Sequence, residues 1–379
     1  MIYSIPYIIL IAFLGLFAFL YENITDETIR KRLIVISIII FFVFFGFRGF
    51  ILSDWIIYYQ FFYNCTIDDV LSFQIDSSYF EPGFTLLTLL CKSIFNNYHF
   101  FVFIITLIDT LLLLRFFRKR VDNIPLALMI YIVFEGLVIS TNLMRNSIAI
   151  LLFINALQYL EERKPLQYFA ICLLALSFHT SSIVYFPLYF FFHKSCNKWG
   201  YLSIFILCNI IFICHFSIVV HIITLLGFDE VFTQRVKVYT ELYDSASIIS
   251  IGYIERLFTG FLVFFYYNKL KEIRKDNAVF INGIIAYFIM FFVLSEFQVM
   301  SKRFATLFAY GYWIIWIDLI KCFAYENNKR LFQAFIFIYC LLRIAGSTYL
   351  PDFDYDNVLF GIKSYQERLY IHNRTYEGP

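Results

Sequence analysis

The chain has 379 residues, of which 61% are hydrophobic, 22% aromatic and only 15% charged, and its formal net charge is +2. A soluble domain carries about 25% charged residues, so this composition excludes an ordinary water-soluble globule. The small net charge excludes the usual basic kind of nucleic-acid-binding protein. The composition instead predicts an all-α, polytopic integral membrane protein.

Apolar runs of roughly 15 to 23 residues can cross the hydrocarbon core of a bilayer, and they predict twelve transmembrane helices. Their approximate bounds are 2–20, 33–47, 98–114, 124–141, 146–160, 166–178, 181–192, 200–222, 252–267, 278–295, 304–320 and 331–346. The sixth and seventh runs also allow a single bent helix, broken at the sequence FHTSS between them. That alternative gives eleven spans and places the two ends of the chain on opposite sides of the membrane.

Six short links between these spans carry more than half of the 30 lysines and arginines. The positive-inside rule places those links in the cytoplasm. The segments 48–97, 142–145, 223–251 and 296–303 then face outward. The predicted organisation is a membrane domain over residues 1–346, with outer loops at 48–97 and 223–251, and an outward-facing C-terminal tail over residues 347–379.

The first long polar segment runs from Arg48 to Phe84 and combines one arginine with carboxylates and aromatic rings. Its candidate functional residues are Arg48, Asp54, Trp55, Tyr58 and Glu81. Pro82 suits the first position of a helix, so a short helix is predicted after Glu81 that is not long enough to span the membrane. Aromatic faces next to carboxylates are typical of sites that bind sugar rings.

Six ionisable residues lie at the outer ends of predicted spans or inside apolar runs: Arg48, Arg145, His179, Arg256, Arg303 and Arg343. Charges at membrane depth are costly and usually mark a functional site. The topology, which uses only the cytoplasmic basic clusters, places all six on the outward side. A cationic outward cavity explains this pattern, and arginine guanidinium groups suit a phosphate anion.

Several of these side chains also have a purely structural interpretation. Arg48 and Arg343 can be anchors at helix ends whose charges reach the membrane surface. His179 can be a hydrogen-bonded core histidine, and Asp54 and Glu81 can be solvated loop acids. The aromatic residues around Asp54 can belong to the belt at the membrane interface.

No metal-ligand motif, Walker motif or glycine-rich nucleotide loop occurs in the sequence. The sequence therefore predicts no metal and no cofactor. We expect any substrate that reacts here to carry its own activated group.

Four stretches together resemble the EpsG family of bacterial membrane proteins, which are similar to Wzy-type polysaccharide polymerases. They are RGF…SDWIIYYQFF…FEPGF, TNLMRNSIAILLFINALQYLEERKP, ALSFHTSSIVYFPLYF and SKRFATLFAYGYW. The resemblance covers about residues 1–345 and leaves the tail beyond Ser347 unexplained. Leu52 stands where the family pattern has glycine, which predicts a differently shaped turn before Asp54.

The resemblance implies a membrane glycosyltransferase, GT-C-like in general style, in the bacterial cytoplasmic membrane with its active site facing the exterior. Such enzymes polymerise the repeat units of O-antigen, capsule or exopolysaccharide. They move a growing glycan from undecaprenyl diphosphate onto the non-reducing end of a new lipid-linked repeat unit. The implied partners are this lipid-linked oligosaccharide, as donor and acceptor, the lipid bilayer and a chain-length regulator protein.

The candidate residues take hypothetical roles in that reaction. Arginines are expected to bind the donor diphosphate, namely Arg145 and Arg303, with Arg48 and Arg256. Asp54, or alternatively Glu81, is expected to act as general base, with Trp55 and Tyr58 holding the sugar and His179 assisting as a proton donor. Rival functions are a flippase for the same lipid-linked sugars, an outward-facing ligase or acyltransferase, and a non-catalytic assembly scaffold.

Overall fold

The computed structural model describes residues 2–71, 80–216, 250–274 and 276–376. The predicted outer loop 223–251 lies outside the described residues except for its last two positions. Contacts divide the chain into two compact units. One consists of Met1–Tyr189 with Asn327–Pro379, and the other of Phe190–Glu326.

The described residues form helices and no strand. The helices up to Tyr189 are α1 (Ile5–Asn23), α2 (Glu27–Gly46), α3 (Trp55–Asn64), α4 (Asp68–Leu71), α5 (Pro82–Ile94), α6 (Tyr98–Arg118), α7 (Ile124–Tyr131), α8 (Leu137–Thr141), α9 (Met144–Glu161), α10 (Pro165–Phe178) and α11 (Tyr185–Leu188). The second unit contains α12 (Lys198–Ile213), α13 (Ile251–Phe265), α14 (Tyr267–Ile273), α15 (Asn277–Phe288), α16 (Gln298–Thr306) and α17 (Tyr310–Cys322). The chain returns to the first unit with α18 (Glu326–Ser347) and α19 (Tyr365–Tyr376).

Side-chain caps mark where several of the long apolar helices begin. Asp26 accepts hydrogen bonds from the backbone N–H groups of the first turn of α2. Asn97 does the same for α6 and Asn123 for α7. Asparagine and aspartate at this position satisfy helix N–H groups that have no partner within the helix. Local polar residues therefore set these helix starts, and the apolar sequence that follows continues them.

Four helical segments are long and apolar enough to cross a membrane, judged by length and composition: Ile2–Asn23, Tyr98–Arg118, Ile124–Thr141 and Glu326–Ser347. A fifth candidate span consists of Met300–Thr306 and Tyr310–Cys322, which meet at a bend of 57°. Shorter apolar helices accompany them at Pro82–Ile94, Pro165–Phe178, Lys198–Ile213 and Asn277–Val293. The all-helical, multi-pass character is thus confirmed, whereas the count of twelve spans and the GT-C style stay predictions.

The start of the first predicted span and the end of the last lie side by side. The Ser4 hydroxyl donates a hydrogen bond to the carbonyl oxygen of Ala345 at 3.1 Å. The contact thus brings the two helix ends to the same level, and the number of spans stays a prediction.

The helix that ends at Phe178 does not continue as one bent helix. The chain reverses at His179 and returns along α10 through a 3₁₀ helix, Thr180–Val184, and then α11. The Tyr168 hydroxyl, early in α10, donates to the carbonyl oxygen of Tyr185 at 2.6 Å. The two predicted segments are therefore separate, and both are short.

The C-terminal tail, which the sequence left unexplained, packs on the turn that precedes Asp54. The Gly49 N–H donates to the Asp356 carbonyl, and the Leu52 N–H donates to the Asp352 carbonyl, each at 2.9 Å. Arg368, which is 2% exposed, donates to that same Asp352 carbonyl at 2.8 Å. The turn and the tail are thus joined through their backbones.

Cations of the tail itself neutralise its aspartates. Asp354 Oδ2 lies 2.8 Å from Lys363 Nζ and 3.1 Å from Arg368 Nη1. Removing one partner of a buried ion pair leaves an uncompensated charge and is strongly destabilising. The buried Arg368 therefore fixes the fold of the tail.

Gly49→Ala is expected to release the tail from the turn. A Cβ atom at Gly49 would overlap the Asp356 carboxylate, whereas one at Gly346 in α18 meets nothing within 4 Å. Overpacking of this kind costs about 1–3 kcal/mol. Limited proteolysis of the tail should then be roughly tenfold faster or more. Gly346→Ala is the matched control, and equal cleavage rates in the two variants would contradict the tail contact.

Candidate active site

A carboxylate, a guanidinium group and a chain reversal meet at one place in the first unit. Glu81 Oε2 lies 2.6 Å from Arg145 Nη1. Glu81 Oε1 accepts hydrogen bonds from the Thr180 N–H at 2.9 Å and from the Thr180 hydroxyl at 3.1 Å. The Glu81 and Arg145 side chains are 13% and 23% exposed. Three donors thus converge on one carboxylate, so the arrangement is an anion site filled by an acid of the chain itself.

The local sequence explains why Glu81 is available to Arg145. Glu81 is the N-cap residue of α5, and Pro82 begins that helix, as predicted. Its carboxylate makes no cap hydrogen bond with α5 and reaches to Arg145 instead. Arg145 is the second residue of α9, where the helix dipole disfavours a positive charge. The Glu81 carboxylate therefore compensates the positive charge of Arg145, which helix α9 does not stabilise.

The Arg145 guanidinium lies against aromatic neighbours. Its central carbon lies 4.1 Å from the centroid of the Phe80 ring. The Tyr58 side chain, on α3, also interacts electrostatically with Arg145. Arg145 Nε is buried and has no hydrogen-bond partner among the described residues. The guanidinium therefore keeps one unused donor in a place that excludes most water.

Two opposing effects determine the pKa of Glu81. Burial alone raises this pKa, but the Arg145 guanidinium and the Thr180 N–H lower it, and the net pKa is below the ordinary value for glutamate. Because its pKa is lowered, this carboxyl group stabilises the fold at pH values above the ordinary pKa of glutamate. That stabilisation is lost as the pH falls through the lowered pKa. Near neutral pH the carboxylate is ionised and paired.

His179 lies at the chain reversal, directly before the residue that binds Glu81. Its Nδ1 accepts a hydrogen bond from the Ser181 N–H at 3.1 Å and lies 2.7 Å from the Ser181 hydroxyl. The same hydroxyl is 3.3 Å from Asn146 Oδ1 on α9. A nitrogen that accepts from a backbone N–H carries no proton, so the neutral ring holds its proton on Nε2.

Asn142 ties the turn that carries Asp54 to the start of α9. Its Oδ1 accepts hydrogen bonds from the Ser53 N–H at 3.3 Å and the Asp54 N–H at 2.9 Å. The Tyr58 N–H donates to the Asp54 carbonyl at 3.1 Å, so the two residues lie one helical turn apart. Through Tyr58, the Asp54 turn reaches Arg145.

Leu52 adopts a backbone conformation that glycine would adopt without strain. The sequence predicts a differently shaped turn here, but the structure gives Leu52 a φ of 63°, in the left-handed region. Contacts on both sides hold it there. The Leu52 N–H donates to the Asp352 carbonyl, and the Trp55 indole N–H donates to the Leu52 carbonyl at 2.7 Å. These contacts impose the glycine-type conformation on a leucine.

Leu52→Gly is expected to be more stable than Leu52→Ala by about 1 kcal/mol, because only alanine keeps a Cβ atom in the left-handed conformation. Both variants lose the leucine side chain, so each controls for the other. Thermal unfolding in lipid nanodiscs measures the difference. A more stable alanine variant would show that the turn at this residue is not left-handed.

Arg48 and Trp55 do not join the cluster around Glu81. The Arg48 guanidinium is buried and donates to the Phe45 carbonyl at 2.6 Å and to the Thr106 hydroxyl at 3.0 Å. Trp55 is buried with its edge against Tyr365 of the tail. Arg48 thus joins the end of α2 to α6, and Trp55 is covered by the tail.

The second unit contains the other two predicted arginines. Arg256, on α13, is buried, donates to the Tyr287 hydroxyl at 2.8 Å and stacks over Phe291 at 3.7 Å. Arg303 is exposed on α16.

The sequence did not single out Thr180, Asn142 or Phe80 as members of this cluster. Thr180 follows the chain reversal at His179, so its N–H is not used by a preceding helix. Asn142 occupies the short link between α8 and α9, and Phe80 directly precedes Glu81. All three stand within the stretches that carried the family resemblance, which was the available signal. No group of three His, Cys, Asp or Glu side chains in the described residues is placed to hold a metal ion.

A comparison with protein-family models finds one that is described as the EpsG family and matches residues 31–365. The match covers every residue of the cluster and extends beyond Ser347 to Tyr365, the first residue of α19. No curated protein and no solved structure matches the chain.

Proposed function

Because the chain belongs to the EpsG family, a family of Wzy-type polysaccharide polymerases, we propose that it polymerises undecaprenyl-diphosphate-linked oligosaccharide repeat units. The growing glycan passes from its lipid diphosphate to the non-reducing end of a new repeat unit, on the outer side of the bacterial cytoplasmic membrane. One observation carries this proposal. The Arg145 guanidinium and two donors of Thr180 form an anion site that Glu81 fills at rest.

The donor diphosphate replaces the Glu81 carboxylate at this site. Its oxygens accept hydrogen bonds from the Arg145 guanidinium and from the N–H and hydroxyl of Thr180. The planar guanidinium group can donate two parallel hydrogen bonds to a phosphate. Donors that are already in place stabilise the negative charge that builds on the leaving diphosphate.

The acceptor hydroxyl oxygen forms a bond with the anomeric carbon of the donor sugar, and the bond from that carbon to the diphosphate breaks. The proton of the hydroxyl must pass to a base. Glu81, released from Arg145 by the diphosphate, lies next to the leaving group and takes this proton. Asp54, which the sequence analysis named first as the general base, is the alternative base, and it lies one helical turn from Tyr58. His179 assists through its Nε2–H.

A polymerase assay with purified protein tests the proposed reaction. A synthetic undecaprenyl-diphosphate oligosaccharide repeat is supplied in liposomes without nucleotide sugar, with and without EDTA. We expect products spaced by one repeat unit, and the same ladder in EDTA, since the proposed groups act without a metal. If the lipid-linked sugar crosses the liposome membrane and no ladder forms, the protein is a flippase and the proposal is wrong.

A further inference from the structure

The tail contains a tight turn whose apolar side chains are exposed. Residues 358–362 have the sequence VLFGI, and Leu359 and Phe360 are 54% and 88% exposed. Gly361 adopts a φ of 109°, and the backbone bridge between Asn357 and Gly361 closes the turn. An apolar group of this kind in contact with water is unfavourable, so it indicates a contact surface.

Hydrogen bonds fix the position of this turn along the axis of α2. The Val358 N–H donates to the Phe47 carbonyl at 2.8 Å, and the Asn357 amide donates to the Val43 carbonyl at 3.2 Å. The Tyr355 hydroxyl donates to the Phe44 carbonyl at 3.0 Å. These acceptors lie in the last turn of α2 and at the residue directly after it. The exposed turn therefore lies at the level where this apolar helix, predicted to span the membrane, ends.

Apolar side chains are also exposed on α2 itself. Ile36 and Ile39 are exposed on α2, as expected for side chains that face lipid. The sequence from Asn357 to Ile362 contains no charged residue. A lipid surface is the occupant that fits both the level of the turn and the exposed apolar side chains of α2.

We propose that the turn 357–362 inserts into the lipid surface beside α2 and anchors the C-terminal tail to the membrane. This surface goes beyond the polymerase reaction and does not depend on it. Since backbone carbonyls of the same tail accept the hydrogen bonds that hold Gly49 and Leu52, the anchor also ties the turn before Asp54 to the membrane surface.

Fluorine NMR in lipid nanodiscs tests the insertion. Trifluoromethyl-phenylalanine is placed at position 360 and, in a matched protein, at position 370, because Tyr370 is 66% exposed among polar side chains of α19. Each protein is measured with a nitroxide-labelled lipid and with a water-soluble nickel chelate. The native protein contains no fluorine, so each resonance comes only from the labelled position.

We expect the lipid nitroxide to relax the resonance at position 360 more strongly than that at position 370, and the nickel chelate to do the reverse. Stronger relaxation at position 360 by the nickel chelate would place the turn in water and overturn the proposal. Shielding of position 360 from both reagents would indicate a protein partner and would also overturn it.

Discussion

Arg145→Ala is expected to abolish polymer formation while the protein remains in the membrane. Arg145 supplies the guanidinium of the anion site, and removing one preorganised donor of this kind costs roughly 10²–10³-fold in rate. The variant also leaves the mostly buried Glu81 carboxylate without its ion-pair partner. Breaking a buried pair in this way can cost about 3–5 kcal/mol of stability. Polymer length in cells and single-turnover rates with purified protein measure the loss.

A charge-swapped variant separates catalysis from stability. Glu81→Arg combined with Arg145→Glu keeps an ion pair at this place but exchanges the positions of the guanidinium and the carboxylate. If the ion pair has only a structural role, the charge-swapped protein should be active. We expect it to be folded and inactive, because the arginine no longer lies over Phe80 beside Thr180. Full polymer length in Arg145→Ala would contradict the assignment outright.

Arg303→Ala tests the sequence prediction for the second unit separately. The sequence predicts the same loss of polymer for this variant. The residue is exposed, so little destabilisation is expected. Unchanged polymer length would remove Arg303 from the site.

Glu81→Gln is expected to lower the rate by about 10²–10⁴-fold, the usual contribution of a general base. Glutamine can still accept the hydrogen bonds of Thr180, so this variant removes the charge and the proton acceptor with little change in shape. Asp54→Asn is the matched variant of the other candidate carboxylate. If Asp54→Asn loses the larger factor, Asp54 is the base and Glu81 only fills the anion site at rest.

The pH dependence gives a second criterion for Glu81. In the free protein, burial raises the pKa of Glu81 but Arg145 and Thr180 bring it below its ordinary value. When the diphosphate takes Arg145, Glu81 loses that partner and its pKa rises. The acid limb of kcat, which reports the bound state, should then lie at higher pH than the acid limb of kcat/KM, which reports the free enzyme. Coincident limbs would contradict Glu81 as a base released by the donor.

The sequence predicted most helices because the signals are local. Apolar length gave the long helices, and Pro82 after Glu81 gave the start of α5. The predicted span 146–160 likewise put Arg145 at the start of a helix, and the structure places it in the first turn of α9, where its charge opposes the helix dipole. In this way both partners of the ion pair were singled out, although their contact was not.

The rest depended on contacts between distant segments. Arg48 and Arg145 both lie at the outer end of a predicted span, and the sequence gives both the same role of binding the diphosphate. Only the structure shows that Arg48 is buried against Thr106 of α6. The part played by Thr180 follows from the chain reversal at His179, and the left-handed Leu52 follows from the tail that holds it. No local pattern reports such contacts.

The most direct measurement is an electron cryo-microscopy structure of the protein with a non-reactive donor, a methylene-phosphonate analogue of the undecaprenyl-diphosphate repeat. We expect the phosphonate oxygens within hydrogen-bond distance of the Arg145 guanidinium and of Thr180, with the Glu81 carboxylate displaced toward the donor sugar. An analogue bound elsewhere, with the Glu81–Arg145 ion pair intact, would contradict the claim that this pair is the resting state of the diphosphate site.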